Sequence, residues 1–420
     1  MIKMKIAGII TEYNPFHNGH AYQIRVLKNE HHIDGVVCAM SGNFTQRGEP
    51  ALVNKRARAQ MALYGGADLI IELPALYSVR SAWWFAYGGC KLLSQTGVIN
   101  HLVFGSEKDN LNELTKAAKI LEEEPSDYRE ALLKNLKAGL SYSSAQSNAL
   151  VSSQPNLPVF TEPNERLAIN CLRIIHALDL PLKPVLVPRK ESSHNDRSLL
   201  LGDEREAQSA SALRNKLATA ESLEDALSDI SRFMPMQTSR ILKETLDDGK
   251  SFVFLKDMSQ ALMALIRRSG IDELNNLPDS DTGLSRRFLD LACSTADIDE
   301  FLAKLKTRRF SEGRLIRMLT HLFLNYTKDT ARYIAAGPEY IRVLGFNDKG
   351  RFILRLMKER SSIPIILKGG QLNSLAKKSP AFLLSRDLDI RAGNLYNMLE
   401  KAPPTNSGSA EYLWSPVYLS

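Results

Sequence analysis

The sequence predicts an α/β fold, a mostly parallel sheet of the nucleotide-binding class followed by a helical region. Three observations lead there. Apolar, β-rich runs alternate with helical stretches through the first 110 residues, the strand signals largely vanish from residue 209 onward, and the 420 residues are 44% hydrophobic and 24% charged, the balance of a globular chain with ample material for a core. In order, a strand over residues 3–10 leads through a polar loop at 12–20 to a helix over 21–30. A strand at 35–40 precedes a helix near 53–64, one at 68–72 precedes a helix near 81–94, and one at 101–104 precedes helices between 111 and 178. Strands alternating with helices of this length require right-handed crossovers and parallel neighbours. A further strand at 184–187 is expected in the same sheet. Residues 209–400 read as helix after helix, for instance 210–218, 259–268, 314–325 and 353–360, with Gly, Pro and Asn at the breaks. The expected organisation is therefore an α/β nucleotide-binding unit over 1–208 and a basic helical unit over 209–420. Near the end, 403–409 has the composition of a loose linker before a short aromatic tail at 412–414.

Whole-chain properties narrow the function classes. The longest apolar runs, 35–40 and 67–71, fall far short of the roughly 20 residues of a membrane span. The apolar stretch near residue 1 is too short for a signal peptide, so the expectation is a cytoplasmic chain with no membrane partner. Cys38, Cys90, Cys171 and Cys293 are scattered in apolar contexts with no metal spacing, and are expected as buried free thiols with no protein-held metal. Net charge counted by hundreds is +4 over 1–100, −1 over 101–200, −7 over 201–300 and +11 over 301–400, so the overall +7 is concentrated late in the chain. A basic segment in a chain of pI near 9.1 points to a polyanion, most simply nucleic acid.

The sharpest chemical feature is His17-Asn18-Gly19-His20 between the first strand and the first helix. A helix start offers unpaired backbone N–H groups and the positive end of the dipole, which favour a phosphate. Gly19 allows close approach of a nucleotide, and two imidazoles three residues apart share one face, where they can donate to phosphate oxygens as charge develops. Such a site transfers nucleotidyl groups; the structural alternative is a pair of helix-capping or surface histidines. Walker A and Gly-x-Gly-x-x-Gly patterns do not occur, which argues against a P-loop ATPase or a dehydrogenase.

The stretch Glu12-Tyr13-Asn14-Pro15-Phe16-His17-Asn18-Gly19-His20 resembles the ATP-binding signature of the HIGH-type nucleotidyltransferase superfamily. Together with Met40-Ser41-Gly42-Asn43-Phe44-Thr45-Gln46-Arg47-Gly48-Glu49-Pro50, the run from Gly66 through Asp68 and Glu72 to Pro74, and Phe104-Gly105-Ser106-Glu107, it is similar to one branch, the tRNA(Met) cytidine acetate ligase family. The resemblance implies a Rossmann-like nucleotidyltransferase domain that joins acetate to ATP, releasing pyrophosphate, and passes the acetyl group to the wobble cytidine of elongator tRNA(Met). It also implies the ATP site: Ile10, Thr11, Glu12, Tyr13, Asn14, Pro15, Phe16, His17, Asn18, Gly19, His20, Gly105, Asn164 and Arg189, with His17 and His20 catalytic at the phosphates. Ser209-Ala210-Ser211-Ala212-Leu213-Arg214 is similar to the superfamily's Ser/Thr-rich phosphate motif, so Ser209, Ser211 and Arg214 either meet the triphosphate or form an ordinary helix cap.

Other residues keep two readings. Ser41, Asn43, Gln46 and Arg47 follow the second strand, at the sheet edge where α/β ligands collect, and either hold acetate or the α-phosphate or build a self-satisfied loop. Lys55 and Arg58, one turn apart, face phosphate or tRNA, or form a solvated helix face. Lys304, Lys306, Arg308, Arg309, Arg314 and Arg317, with Phe310 interleaved, make either a tRNA contact or a solvated basic helix. Trp83 and Trp84 are core or a stacking platform. ATP is expected to bring Mg²⁺, held mainly by its own phosphates and water. The rival function is an adenylyltransferase of coenzyme biosynthesis acting on a small phosphorylated substrate, which needs no large basic helical unit.

Overall fold

A computed structural model describes residues 4–106, 109–160, 162–188, 208–307, 310–374, 379–400 and 410–420. Five parallel strands, β1 (Ile6–Thr11), β2 (Gly35–Ser41), β3 (Leu69–Leu73), β4 (His101–Ser106) and β5 (Lys183–Pro188), lie in the order β5-β4-β1-β2-β3. Every residue of β1, β2 and β3 is buried, as expected of parallel strands covered on both faces. Their side chains alternate between two cores. Ile6, Ile10, Val37, Ala39 and Leu69 pack with Phe85, Cys90 and Leu93 of the helix Ala82–Gln95 and with Ile169 and Leu172 of the helix Pro163–Ala177. Ala7, Ile9, Val36, Cys38 and Ile70 pack with Ile24 and Leu27 of α1 (Asn18–Asn29) and with Ala59, Met61 and Ala62 of α2 (Lys55–Tyr64). Trp83 and Trp84 are partly buried against the first core, and Arg173 sits 4.6 Å from the centre of the Trp83 ring. Cys38, Cys90 and Cys171 are buried free thiols, whereas Cys293 is exposed.

The helical reading of the second half needs correcting. After a long run of helices the chain returns to the sheet with β6 (Ile341–Asn347), which pairs antiparallel with β3, and β7 (Ile365–Ile366) and β8 (Val417–Leu419) both pair parallel with β6. The return is driven by burial. Ile341, Val343 and Leu344 are sealed, and Arg342 is 1% exposed beside carboxylates at the end of β3 and in the tail. The helix Glu312–Phe323 belongs to the same body, with Leu315, Met318, Leu319 and Leu322 in the first core. The linker expected at 403–409 lies outside the described residues, while the aromatic tail is fixed by Trp414, whose Nε1–H donates to the Val343 carbonyl at 3.2 Å.

Candidate active site

The site forms where the strand order reverses, at the carboxyl ends of the adjacent strands β1 and β4. One cavity there is lined by Ile9, Ile10 and Thr11 from β1, Gly19, His20, Tyr22 and Gln23 from α1, and Val103, Phe104 and Gly105 from β4. Asn164, Leu167 and Cys171 of the helix Pro163–Ala177, with Val187 and Pro188 of β5, close it. Six expected ATP residues thus meet: Ile10, Thr11, Gly19, His20, Gly105 and Asn164. Tyr22, Gln23, Leu167 and Cys171 were missed. They follow Gly19 and Asn164 by three, four or seven residues, so helical spacing from either anchor points to them.

The loop that carries the histidines is rigid for local reasons. Tyr13 is 1% exposed with its hydroxyl 3.4 Å from Cys38 Sγ, and Phe16 is fully buried against Gly65, where a Cβ would lie 2.2 Å from the ring. These two rings seat His20, whose centroid lies 4.7 Å from that of Tyr13 and 5.4 Å from that of Phe16. His17 is the N-cap of α1 and accepts the Gly19 N–H on its Nδ1 at 3.1 Å, while the His17 N–H donates to His20 Nδ1 at 3.2 Å. The rings stack with centroids 3.7 Å apart. Because both Nδ1 atoms accept backbone N–H groups, each neutral ring carries its proton on Nε2. Capping therefore uses Nδ1 of each ring, and the catalytic reading concerns the other nitrogen, Nε2.

The second loop, 41–50, is tied to the first. The Gln46 N–H donates to Glu12 Oε1 at 2.7 Å and Gln46 Nε2 to the Arg80 carbonyl at 2.8 Å. Asn43 Oδ1 accepts the Lys55 N–H, Arg47 is exposed, and Ser41 Oγ is buried with no partner among the described residues. Asn14 Nδ2, on the facing loop, is likewise buried and unpartnered among them. Ser209 caps the helix Ala210–Ala218 through the Ala212 N–H. From that helix Arg214 donates to the Asn14 carbonyl at 2.7 Å and Glu49 at 3.2 Å, and approaches Ser211 Oγ at 3.5 Å, so this motif reaches both loops.

Other expected residues lie elsewhere. Lys55 and Arg58 are 2% and 0% exposed and cannot present a cationic face to RNA. Lys55 binds Glu72 and Glu411, and Arg58 donates to the carbonyls of Glu12, Ser41, Gly42 and Val53. Burial pushes the Arg58 guanidinium down to about 10, where it is still charged at neutral pH and ties the loops 12–20 and 41–50 together. In the late basic cluster Lys304 pairs with Glu300 and Lys306 with Glu312, both at 2.7 Å, Arg314 with Asp281 at 3.3 Å, and Arg317 with Asp279 at 3.1 Å. Arg189, Arg308 and Arg309 lie outside the described residues.

Behind the loop 41–50 stands the helix Glu312–Phe323. Thr320 Oγ1 donates to the Gly48 carbonyl, and Gly48, at φ +92°, has backbone of Arg317 where a side chain would go. On the same helix His321 is fully buried, its Nε2 2.7 Å from the Val79 carbonyl. Burial pushes its pKa down to about 4 despite the opposing pull of Asp279, with Arg80 and Arg317 adding to the depression. The folded protein keeps this ring neutral while the unfolded chain protonates it near 6.5, so stability falls as pH drops from about 6.5 to 4. His321→Gln is expected to remove that part of the acid lability, up to about 3 kcal/mol by linkage. Denaturant midpoints between pH 7 and pH 4 measure it, and an unchanged slope with pH refutes the assignment.

A strand, a His-x-Gly-His helix start and a cavity at the switch point define a nucleotidyltransferase of the HIGH class, and the HIGH Nucleotidyl Transferase family matches residues 4–411. Within that class the chain belongs to the tRNA(Met) cytidine acetate ligase family. It is 34% identical to the tRNA(Met) cytidine acetate ligase of Halothermothrix orenii over 98% of both chains, and 37% identical to that of a Thermoanaerobacter species over 95% of this chain and 96% of the relative. The crystal structure of Thermotoga maritima TmcAL bound with alpha-thio ATP superposes with a TM-score of 0.90 at 30% identity, covering 99% of this chain and 100% of the other. Among the described residues, no three His, Cys, Asp or Glu side chains gather as a metal site, and no helix is long and apolar enough to cross a membrane.

Proposed function

We propose that the chain activates acetate with ATP and acetylates N4 of the wobble cytidine of elongator tRNA(Met) in the cytoplasm. An acetate oxygen attacks the α-phosphorus, the bond to the β-phosphate oxygen breaks, and pyrophosphate leaves with the charge that develops. The cytidine amine then attacks the acetyl carbon, AMP leaves, and the amine loses a proton. The observation that carries this reading is the paired histidine cap, with both Nδ1 atoms occupied by backbone N–H groups at 3.1 and 3.2 Å and both Nε2–H donors thereby defined. Donors fixed before the reaction need no reorganisation as phosphate charge grows. Mg²⁺ enters with ATP, on the triphosphate.

Of the four residues expected around acetate, Asn43 and Gln46 hold their own loops together, which leaves Ser41 and Arg47 to meet the carboxylate. Arg189 and Arg214 serve the triphosphate. In this reading residues 1–208 perform activation, and 209–420 hold tRNA and brace the activation loops, with Arg308 and Arg309 on the RNA side. Labelled pyrophosphate is expected to exchange into ATP only when acetate is present, and tRNA(Met) incubated with ATP and acetate is expected to yield N4-acetylcytidine by nucleoside mass spectrometry. Exchange indifferent to acetate, with no modified nucleoside, would point instead to an adenylyltransferase of coenzyme biosynthesis.

A further inference from the structure

The late basic surplus needs an outlet, and in the cluster at 304–317 each of the four described cations already has a carboxylate partner. The helix Asp348–Arg360 is different. Its 13 residues carry five cations against two carboxylates, Asp348 and Glu359. Gly350, Ile353, Leu354 and Met357 form its buried side. Arg351, Arg355 and Lys358 follow one another by four and three residues, share one face, and are all exposed. Arg355 and Lys358 have no carboxylate partner among the described residues. Arg351 reaches Asp348 at 2.9 Å, but both side chains are more than half exposed, a pair that phosphate readily replaces. Beside this face stand two half-exposed rings, Phe352 and Tyr418, each 47% accessible, with the Arg351 guanidinium 5.7 Å from the centre of the Tyr418 ring. Guanidinium and ammonium groups interleaved with open aromatic faces suit a phosphate backbone with bases or riboses alongside.

The position of the helix decides which part of an RNA it can hold. Because β6 runs against β1 to β5, the chain leaves it at the amino edge of those strands. There Gly350 packs on the Asp68 carbonyl, Ile353 on Gly35 at the start of β2, and the Arg360 carbonyl on Gly97. The adenylate cavity is at the opposite edge, one strand length away, about 20 Å for six residues at ~3.3 Å each. We propose that the exposed face carrying Arg351, Arg355 and Lys358 is a second tRNA contact, holding backbone phosphates of the tRNA body outside the anticodon arm. It rests on the tRNA reading above and adds to it where the body docks.

Equilibrium titration of full-length tRNA(Met) and of its isolated anticodon stem-loop, each at several salt concentrations, tests this with the triple variant Arg351→Ala, Arg355→Ala, Lys358→Ala. Full-length tRNA is expected to bind about tenfold or more weakly at low salt, with the slope of log affinity against log salt reduced by roughly 2 to 3, because each lost phosphate contact removes ~0.9 of a released counterion. Stem-loop affinity and acetate-dependent pyrophosphate exchange are expected to stay at wild-type levels, and the exchange also reports that the variant is folded. Unchanged full-length affinity and slope overturn the contact, and an equal loss for the stem-loop overturns its position on the body. Failure of the tRNA reading itself shows separately, in wild-type protein that binds neither RNA and forms no acetylcytidine; the contact then falls with it.

Discussion

Replacing His17 with Asn is expected to lower acetate-dependent pyrophosphate exchange by about 10²-fold or more while leaving the stability of the protein unchanged. The imidazole does two separable jobs. Its Nδ1 caps α1 by accepting the Gly19 N–H at 3.1 Å, and that contact puts the proton of the neutral ring on Nε2, the donor that the proposed function assigns to the phosphates. The Asn side-chain oxygen occupies nearly the same place as Nδ1 and is among the best N-caps, so the helix start survives. Nothing in Asn replaces Nε2–H. His17→Ala loses both functions and is expected to add a stability loss of about 1 kcal/mol to the same loss of rate. Pyrophosphate exchange and thermal melting of the two variants separate the roles. Near-normal exchange by His17→Asn would reduce the histidine to a cap.

The first half of the fold was legible because each signal was local. A buried parallel strand is a short unbroken apolar run, and a phosphate-binding helix start is a contiguous string, so β1 to β5 and the cavity residues around Gly19 and His20 follow from neighbouring letters. The structure departs from the sequence reading where the deciding partner is remote. The run at 341–347 becomes a strand only against β3, some 270 residues earlier. β7 and β8, with two and three residues, are too short to show any period. Charged residues mislead in the same way. Lys55 and Arg58 read in sequence as facing phosphate, tRNA or solvent, but Lys55 is buried between two carboxylates, Glu72 and Glu411, the second of them 356 positions away. Arg314 and Arg317 of the late cluster similarly find Asp281 and Asp279, 33 and 38 positions away, whereas Lys304 and Lys306 make exposed pairs with Glu300 and Glu312 close by in sequence. A basic segment therefore said that a polyanion is bound, but not which cations are left to bind it.

Lys55→Met is expected to destabilise the protein by about 3–5 kcal/mol, the cost of leaving a buried charge without its partner. Lys55 Nζ lies 2.8 Å and 3.0 Å from the two oxygens of Glu72 and 2.9 Å from Glu411, and Arg342 contacts the same two carboxylates, so two cations balance two anions with every side chain 5% exposed or less. Trp414 covers them, 5.4 Å from Lys55 Nζ and 5.3 Å from the Arg342 guanidinium. Burial works to raise the Glu411 pKa, but Lys55 and Arg342 outweigh it and hold the carboxyl below its ordinary value. A carboxyl depressed on folding stabilises above its unfolded pKa, about 4.3, and loses that contribution as pH falls through the folded value. The deficit of Lys55→Met is therefore expected to be largest near neutral pH and to shrink in acid. Adding Glu411→Gln should restore part of the loss, because the surplus negative charge disappears with it. The damage should also reach the site. Gly42 lies against the Glu72 carboxylate, where a Cβ would be only 2.6 Å from Oε1, so the network forms the floor of the loop that carries Ser41 and Arg47. The KM for acetate is expected to rise more than the KM for ATP. Urea unfolding at pH 7 and pH 4, with acetate and ATP titrations of pyrophosphate exchange, decides the matter. A deficit independent of pH and unrelieved by Glu411→Gln would mean that Lys55 acts through packing alone.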